Sequence, residues 1–396
     1  MTSQNIASAP QRSWTNVNVM GAGHFISDFY CNILPLILPI LASRFDFSYA
    51  QCGTLYMIFQ VAANFIQPPV GLLADRYNIN YLMPLSILGG GIFVCSIGII
   101  DNIWMLVLII FISGICASGF HPIAGGILPK VTPKNKEVLA TSIFIVGGNI
   151  GFAIAPYCVA RFIDAYDYQN LLWLSIPAII TTVLIYSRKL HHPTLVEKPN
   201  NISSIRSIIH NKAFVQFVFS IGWRSLCYCT MIAYLPLFLT EKGYSSTESA
   251  QALFAMLFGT AFGGMAIGGL SAKLGLKKLI LITYIATICS VSAFLYLSDL
   301  SLISYILLFI TGAGLYGSTP PAIVWSQRIL SKSAAFATSM MLGFTFGIGY
   351  IVSVGTGILA DFFGLHNALW FTMLPALILA ILFIAPLKEP KPNNII

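Results

Sequence analysis

Three polar residues lie four positions apart within an otherwise apolar stretch near the start of the chain. They are His24, Asp28 and Asn32, and this spacing puts them on one face of a helix. An aspartate can bind and release a proton, and histidine titrates near physiological pH. Asp28 is therefore a candidate proton carrier, with His24 and, in a later apolar stretch, His121 as candidate relays. Each histidine could instead only pack or hydrogen-bond inside its helix.

A permanent cation lies in a different apolar stretch. Arg224 is followed four residues later by Tyr228. Arginine keeps its proton in proteins, and its planar fork of donors matches a carboxylate or phosphonate. Arg224 is therefore a candidate anion-binding residue. The alternative is that Asp28 and Arg224 neutralise each other as a structural pair.

The elements that position these residues must cross a membrane. Hydrophobic residues make up 57% of the chain, charged residues only 9%, and the mean hydropathy is +0.82. These values exclude a soluble domain, and the apolar runs lack the strict alternation of a membrane barrel. About 20 apolar residues make one crossing. Twelve runs satisfy this length: 16–42, 49–73, 79–100, 103–129, 138–160, 169–187, 212–239, 247–271, 277–298, 300–326, 334–360 and 366–387. Residues 1–15 are polar and the first run continues into further spans, so no cleaved leader is expected.

The two halves of the chain repeat each other at a constant offset of 197 residues. Pro39 recurs as Pro236, Ser48 as Ser245, Gly71 as Gly268, Asp164 as Asp361 and Trp173 as Trp370. A duplicated set of membrane helices is typical of transporters. We therefore predict an all-α membrane protein with two six-helix bundles, 1–187 and 212–396, joined by a linker over 188–211. A short helix is predicted within the linker, at 202–209.

Basic residues predict the orientation. If the amino terminus is cytoplasmic, 17 of the 21 Lys and Arg lie on the cytoplasmic side of the membrane. Only Arg44, Arg161 and Lys242 lie on the opposite side, and Arg224 lies within a span. This asymmetry predicts that both termini are cytoplasmic. The net charge of +8 is spread over these loops and forms no stripe, so nucleic-acid binding is not expected. The eight cysteines lie within spans, and no disulfide is predicted.

Two loops related by the repeat resemble the signature loop of the major facilitator superfamily. One segment, with Gly71, Asp75 and Arg76, joins the second and third spans, and the other, with Gly268 and Lys273, joins the eighth and ninth. The first loop lacks the trailing basic pair, and the second lacks the aspartate. In that family the glycine allows close helix approach and the aspartate stabilises one conformation. The alternative is a plain cytoplasmic turn.

Four further segments resemble one branch of this superfamily, the fosmidomycin-resistance exporters. They are 23–30 in the first span, 119–122 in the fourth, 142–151 in the fifth, and 223–225 followed by 234–239 in the seventh. The resemblance implies proton-coupled export of a small, often anionic drug or metabolite. An arginine often found in the fourth span of proton-coupled members is absent here.

The same resemblance implies that the first, fourth, seventh and tenth spans line a central cavity. The candidate substrate-binding residues are therefore Arg224, Asn32, Tyr228, Tyr316 and Thr319, and the candidate proton-coupling residues are Asp28, His24 and His121. We predict a monomeric inner-membrane antiporter that works by alternating access, binds substrate and protons, and needs no cofactor or metal. A proton-coupled importer, or an exporter of a carboxylate metabolite such as a siderophore, is the alternative. The sequence contains no catalytic constellation that would indicate an enzyme.

Overall fold

The structure is a computed structural model that describes residues 11–134, 137–191, 210–330, 337 and 340–390. Every regular element in these ranges is helical, as predicted. The elements are Trp14–Cys31, Leu34–Phe45, Tyr49–Phe65, Gln67–Arg76, Leu82–Cys95, Ser96–Ile99, Ile103–Val131, Glu137–Tyr166, Tyr168–Ser175, Ile176–Ser187, Lys212–Glu241, Ser246–Leu274, Leu276–Leu297, Leu302–Gly317, Thr319–Ile329, Met340–Phe344, Thr345–Phe363 and Leu365–Ile384. Ser96–Ile99 and Tyr168–Ser175 are 3₁₀-helices, and Met340–Phe344 is a π-helix.

Ten helical stretches within the described residues are long and apolar enough to cross a membrane, and they coincide with ten of the twelve predicted spans. The second predicted span consists of Tyr49–Phe65 and Gln67–Arg76, with a break at Ile66. The eighth is a single helix of 29 residues, Ser246–Leu274. A helix satisfies its own backbone hydrogen bonds, which a bilayer core requires. The chain is thus an all-helical multi-pass membrane protein, and its spans are numbered 1 to 12 below.

Prolines account for the breaks inside three spans. Span 1 is interrupted between Cys31 and Leu34, just before Pro35, and span 10 is interrupted at Ser318, just before Pro320. Proline lacks a backbone N–H and is tolerated best in the first turn of a helix. The helix that begins at Gln67 has proline in its first turn for the same reason.

Spans 2 and 8 begin with the same capping hydrogen bonds. The N–H of Ser48 donates to Oε1 of Gln51 (2.8 Å), and the N–H of Gln51 donates back to Oγ of Ser48 (3.3 Å). Ser245 and Glu248 make the equivalent bonds at 2.8 and 3.2 Å. Reciprocal bonds of this kind form a capping box, which satisfies donors that a helix start leaves free. The internal repeat therefore extends to the hydrogen bonds that start its helices.

Contacts divide the chain into two compact units. The N-terminal unit contains the described residues of Met1–Leu34 and Ile58–Asn200, and the C-terminal unit contains those of Pro35–Met57 and Asn201–Ile396. Within the C-terminal unit, the start of span 2 is fixed to span 11. The N–H groups of Tyr49 and Ala50 donate to the two carboxylate oxygens of Asp361, at 2.8 and 3.2 Å. Most of the predicted linker, including 202–209, lies outside the described residues.

Candidate functional site

The three candidate proton-coupling residues meet in the N-terminal unit. Nε2 of His24 lies 3.2 Å from Oδ2 of Asp28, and Nε2 of His121 lies 3.3 Å from Oδ1 of the same carboxylate. Span 1 supplies the first two side chains and span 4 the third. The side chain of Asp28 is only 16% exposed. Each carboxylate oxygen thus has its own imidazole, and an aspartate that would be costly alone in a membrane is compensated.

Span 5 holds span 1 in register around this cluster. Nδ1 of His24 contacts the backbone carbonyl of Phe144 at 2.8 Å, and Nδ2 of Asn32 donates to the carbonyl of Phe152, also at 2.8 Å. Both pairs are separated by 120 residues. The two helices therefore run side by side without a shift, and His24 and Asn32 anchor span 1 one turn before and one turn after Asp28.

A glycine in span 5 makes room for the pair of side chains. A β-carbon built on Gly148 would lie 2.6 Å from Oδ2 of Asp28 and would also collide with Nε2 of His24. The ring of Phe144 stacks on His24 with its centroid 4.1 Å away. The imidazole is thus fixed by a hydrogen bond along one edge and an aromatic ring against one face.

The potential ligand atoms of His24, Asp28 and His121 lie within 4.8 Å of one another, a spacing that a divalent cation can also use. Both imidazoles, however, already contact the carboxylate directly at hydrogen-bonding distance. We therefore interpret the three residues as a hydrogen-bonded cluster and not as metal ligands.

The predicted anion-binding residue lies in the C-terminal unit. Arg224, on span 7, is fully buried and lies near the Tyr284 side chain, but its Nε, Nη1 and Nη2 atoms make no hydrogen bond of good geometry to the residues that the structure describes. Its guanidinium carbon lies 5.1 Å from the ring centroid of Phe346, a cation–π distance. Unpaired donors at a buried charge are rare in proteins because they forfeit hydration. Arg224 therefore has the capacity to bind an anion.

Aromatic side chains surround this arginine. The rings of Tyr228 and Tyr316 have centroids 5.7 Å apart, and each contacts Phe346, at 5.4 and 6.2 Å. Thr319 follows Tyr316 by one turn and is 2% exposed, and its hydroxyl also has no hydrogen-bond partner in the described part of the chain. The structure thus brings Arg224, Tyr228 and Tyr316 together around Phe346.

The loop residues are described only in part. Helical backbone extends to Arg76 and to Leu274, but the side chains of Asp75, Arg76, Gly268 and Lys273 lie outside the described part of the structure. A β-carbon added to Gly71 would lie 3.5 Å from Cβ of Pro122, an ordinary van der Waals distance. Glycine is therefore not needed here to avoid a collision with Pro122, and the role expected of Gly71 stays a prediction.

Sequence reasoning does not single out three residues of the two sites. Gly148 is one of several small residues in its run, Phe144 acts through its ring and its carbonyl, and Phe346 has no polar atom to draw attention. Finding them requires knowing which helices pack together and in what register, here spans 1 and 5 and spans 7 and 11. The 197-residue offset pairs Phe346 with Asn149, so the repeat gives no signal either.

Comparison with known proteins identifies the family. The sequence profile of the Major Facilitator Superfamily matches residues 20–354. The chain belongs to this superfamily of membrane transporters. A curated relative is the fosmidomycin resistance protein of Escherichia coli K12, 26% identical over 90% of this chain and 89% of that protein. The predicted resemblance to the fosmidomycin-resistance branch is thereby confirmed.

A second sequence relative and a solved structure are transporters with other names. A probable 4-methylmuconolactone transporter of Cupriavidus pinatubonensis is 24% identical over 93% of this chain and 89% of that protein. Among solved structures, a bacterial homologue of the human lysosomal transporter Spinster has a TM-score of 0.78 at 16% identity, with 96% of each chain covered. At that identity the likeness shows the fold alone. Together these comparisons make the protein a multi-pass transporter of small molecules.

Proposed function

We propose that this transporter is a proton-coupled exporter of a small anionic drug or metabolite and that it exchanges protons for substrate by alternating access. The observation that carries the proposal is Arg224, a fully buried guanidinium without a hydrogen-bond partner in the described residues. An anion with two or three oxygens would satisfy those donors. Tyr228, Tyr316 and Thr319 are proposed to complete the substrate site in the C-terminal unit, and Asn32 is proposed as a substrate-binding residue of the N-terminal unit.

The proton half of the exchange is assigned to Asp28, His24 and His121. Their direct contacts join one carboxylate to two imidazoles, the groups that bind and release protons most readily near neutral pH. Protonation would change the net charge of the cluster without breaking the helices around it. Coupling in this scheme means that proton binding at the cluster and anion binding at Arg224 favour different conformations of the protein.

Two further observations support export from a cytoplasmic membrane. A relative is named for resistance to fosmidomycin, and removal of a drug from the cell is a direct route to resistance. The excess of Lys and Arg in alternate loops supports cytoplasmic termini. The proposal is of a monomer in the bacterial inner membrane, without catalysis, resident metal, cofactor or nucleic-acid partner. Asp75, Arg76, Gly71, Gly268 and Lys273 are proposed to stabilise one conformation.

Transport into proteoliposomes under an imposed pH gradient tests this function. The purified protein is reconstituted, and radiolabelled fosmidomycin, then a set of small carboxylates that includes a siderophore, is added outside. An exchanger accumulates its substrate when the lumen is acidic, because protons leave as substrate enters. Vesicles that contain Arg224→Ala protein are the control.

The same assay separates the alternatives. Accumulation driven by an acidic exterior would mean symport, which is the mechanism of a proton-coupled importer. Accumulation of a siderophore but not of fosmidomycin would identify an endogenous carboxylate as the substrate. Equal accumulation with and without a gradient for every solute that is transported would refute proton coupling.

A further inference from the structure

Both ring nitrogens of His24 face hydrogen-bond acceptors. Nδ1 lies 2.8 Å from the carbonyl oxygen of Phe144, and Nε2 lies 3.2 Å from Oδ2 of Asp28. A carbonyl oxygen has no proton to give, so Nδ1 must be the donor. A neutral imidazole carries only one N–H. In a neutral His24, Nε2 would therefore present its lone pair to an ionised carboxylate, and the two would repel each other.

One additional proton removes this conflict, either on Nε2 of His24 or on Oδ2 of Asp28. We infer that His24 and Asp28 hold a shared proton in this conformation, and that Gly148 is the residue that keeps them close enough to share it. The inference rests on the proposed function in one respect only, namely that the shared proton is the one that is transported. The presence of the proton itself follows from the contacts.

The other groups around the pair are consistent with a single extra proton. Span 1 also contributes Cys31, which follows Asp28 by three residues and so lies on the same face of the helix. Span 4 contributes His121, whose Nε2 lies 3.3 Å from Oδ1 and can donate to it as a neutral imidazole. Span 5 contributes the Phe144 carbonyl and Gly148, neither of which titrates. The conflict at Nε2 of His24 is therefore resolved within the His24–Asp28 pair.

Gly148 acts through its lack of a side chain. A β-carbon there would lie 2.6 Å from Oδ2 of Asp28 and would also collide with Nε2 of His24. Alanine would thus have to push the two atoms apart at the point where the proton sits. Gly125, on span 4 of the same unit, is the matched control, since nothing lies within 4 Å of a β-carbon built there.

The proton can be observed directly. Protein labelled with ¹⁵N-histidine is studied by NMR at a pH of about 7.5, one unit above the ordinary histidine pKa of about 6.5. The His24 signal is assigned by its loss in His24→Gln. Two results would support the inference. Either both nitrogens of His24 are protonated, or only one is and the infrared spectrum shows a carboxylic-acid band that disappears in Asp28→Asn. A singly protonated His24 without that band would overturn the inference.

The role of Gly148 is tested by the pH at which this proton is lost. In Gly148→Ala the midpoint should move down by about one pH unit, a tenfold weaker hold on the proton, while Gly125→Ala should match the wild type. An unchanged midpoint in Gly148→Ala would remove Gly148 from the proposal. Gly148→Ser is larger than Gly148→Ala, so it cannot replace that variant if Gly148→Ala does not fold. In that case His24→Gln tests the shared proton. Its amide keeps a donor for the Phe144 carbonyl, and the variant should release one proton fewer than the wild type.

These measurements need no substrate, so they fail independently of the proposed function. A shared proton in a protein that shows no gradient-driven transport would leave the inference intact and refute the proton-coupled function. Gradient-driven transport without a shared proton would do the reverse.

Discussion

Gly148 lies directly against Asp28, so close that a β-carbon on the glycine would be 2.6 Å from a carboxylate oxygen. The two residues form one of the contacts between spans 1 and 5. The C-terminal half has Ser225 and Thr345 at the positions that the repeat equates with them. There Oγ of Ser225 donates to Oγ1 of Thr345 at 3.2 Å, and Thr345 in turn donates to the carbonyl of Met341.

The two halves thus use the same helix register for different purposes. In the C-terminal half, a hydroxyl fills the space and forms a closed chain of hydrogen bonds that cannot titrate near neutral pH. In the N-terminal half, the glycine has no side chain, and the side chains of a histidine and an aspartate occupy the space. The repeat-related positions thus form a hydroxyl contact in one half and a candidate proton site in the other.

Asp28→Asn should abolish accumulation driven by a pH gradient, because an amide cannot carry a proton at physiological pH. The variant should remain folded and should still exchange substrate when the pH is equal on both sides. Proteoliposomes with and without a gradient distinguish these activities. Asp101→Asn, in the exposed loop between spans 3 and 4, is the control and should behave as wild type. Undiminished accumulation by the Asp28 variant would rule out its role.

His24 and Asp28 should be energetically coupled, because they are in direct contact. Thermal unfolding of His24→Gln, Asp28→Asn and the double variant in detergent gives the coupling free energy, expected within about 0.5–3 kcal/mol. The double variant should lose less stability than the sum of the two single variants.

The coupling should also depend on pH in one direction. While the shared proton is bound, the contact is attractive. Once it is lost at higher pH, a lone pair faces a carboxylate and the attraction disappears. The coupling free energy should therefore be largest at low pH and should decline as the pH rises. Strict additivity at every pH would mean that the two side chains do not interact in the folded protein.

Much of the fold could be predicted from the sequence because a bilayer imposes few solutions. Long apolar runs must be helices, and the twelve predicted runs coincide with helices in the described parts of the chain. The fixed offset that relates Pro39 to Pro236 is enough to indicate the duplication. The ends of individual helices were less predictable. Spans 1, 2 and 10 are each divided into two helices near prolines, and a hydropathy profile does not show these breaks.

The proton cluster was predictable in part, and its surroundings were not. The four-residue spacing of His24 and Asp28 already puts their side chains on one helix face. The position of His121 beside Asp28 depends on how span 4 packs against span 1. The contact of Asp28 with Gly148 depends on the register of span 5. A single sequence carries no information on either. Phe346, beside Arg224, is hidden for the same reason.

Asp361 should stabilise the start of span 2, because its carboxylate accepts hydrogen bonds from the N–H groups of Tyr49 and Ala50. Asp361→Ala removes both acceptors at a helix amino terminus and should destabilise the protein by about 1 kcal/mol. Asp361→Asn retains one acceptor and should be intermediate. Tyr49→Phe, which removes only the 2.9 Å hydrogen bond to Glu241, should cost less than Asp361→Ala.

Loss of this cap should also expose the buried thiol of Cys52, in the first turn of the same helix. In a protein whose other cysteines are replaced by alanine, a membrane-impermeant maleimide should label Cys52 faster in Asp361→Ala than with Asp361 present. Equal labelling rates would show that the cap does not hold this end of span 2 closed.

Arg224→Lys should weaken binding of the transported anion by at least tenfold, about 1.4 kcal/mol. Lysine keeps the charge but presents it as a point, whereas the guanidinium offers two parallel donors to a carboxylate or phosphonate. The planar cation also lies against the Phe346 ring, a contact that an ammonium on a flexible stem would not hold in the same place. Calorimetric titration with the substrate identified in proteoliposomes measures the loss.

The matched control for Arg224→Lys is Arg161→Lys, at an exposed position on span 5, which should bind as the wild type does. Because the three nitrogens of Arg224 have no hydrogen-bond partner among the described residues, the stability lost in Arg224→Lys should be that of its packing against Phe346. Thermal unfolding without substrate measures this loss, and a loss of affinity that exceeds it reports on the anion contact itself. Equal affinity in Arg224→Lys would reduce Arg224 to a generic positive charge and would withdraw the main support for an anionic substrate.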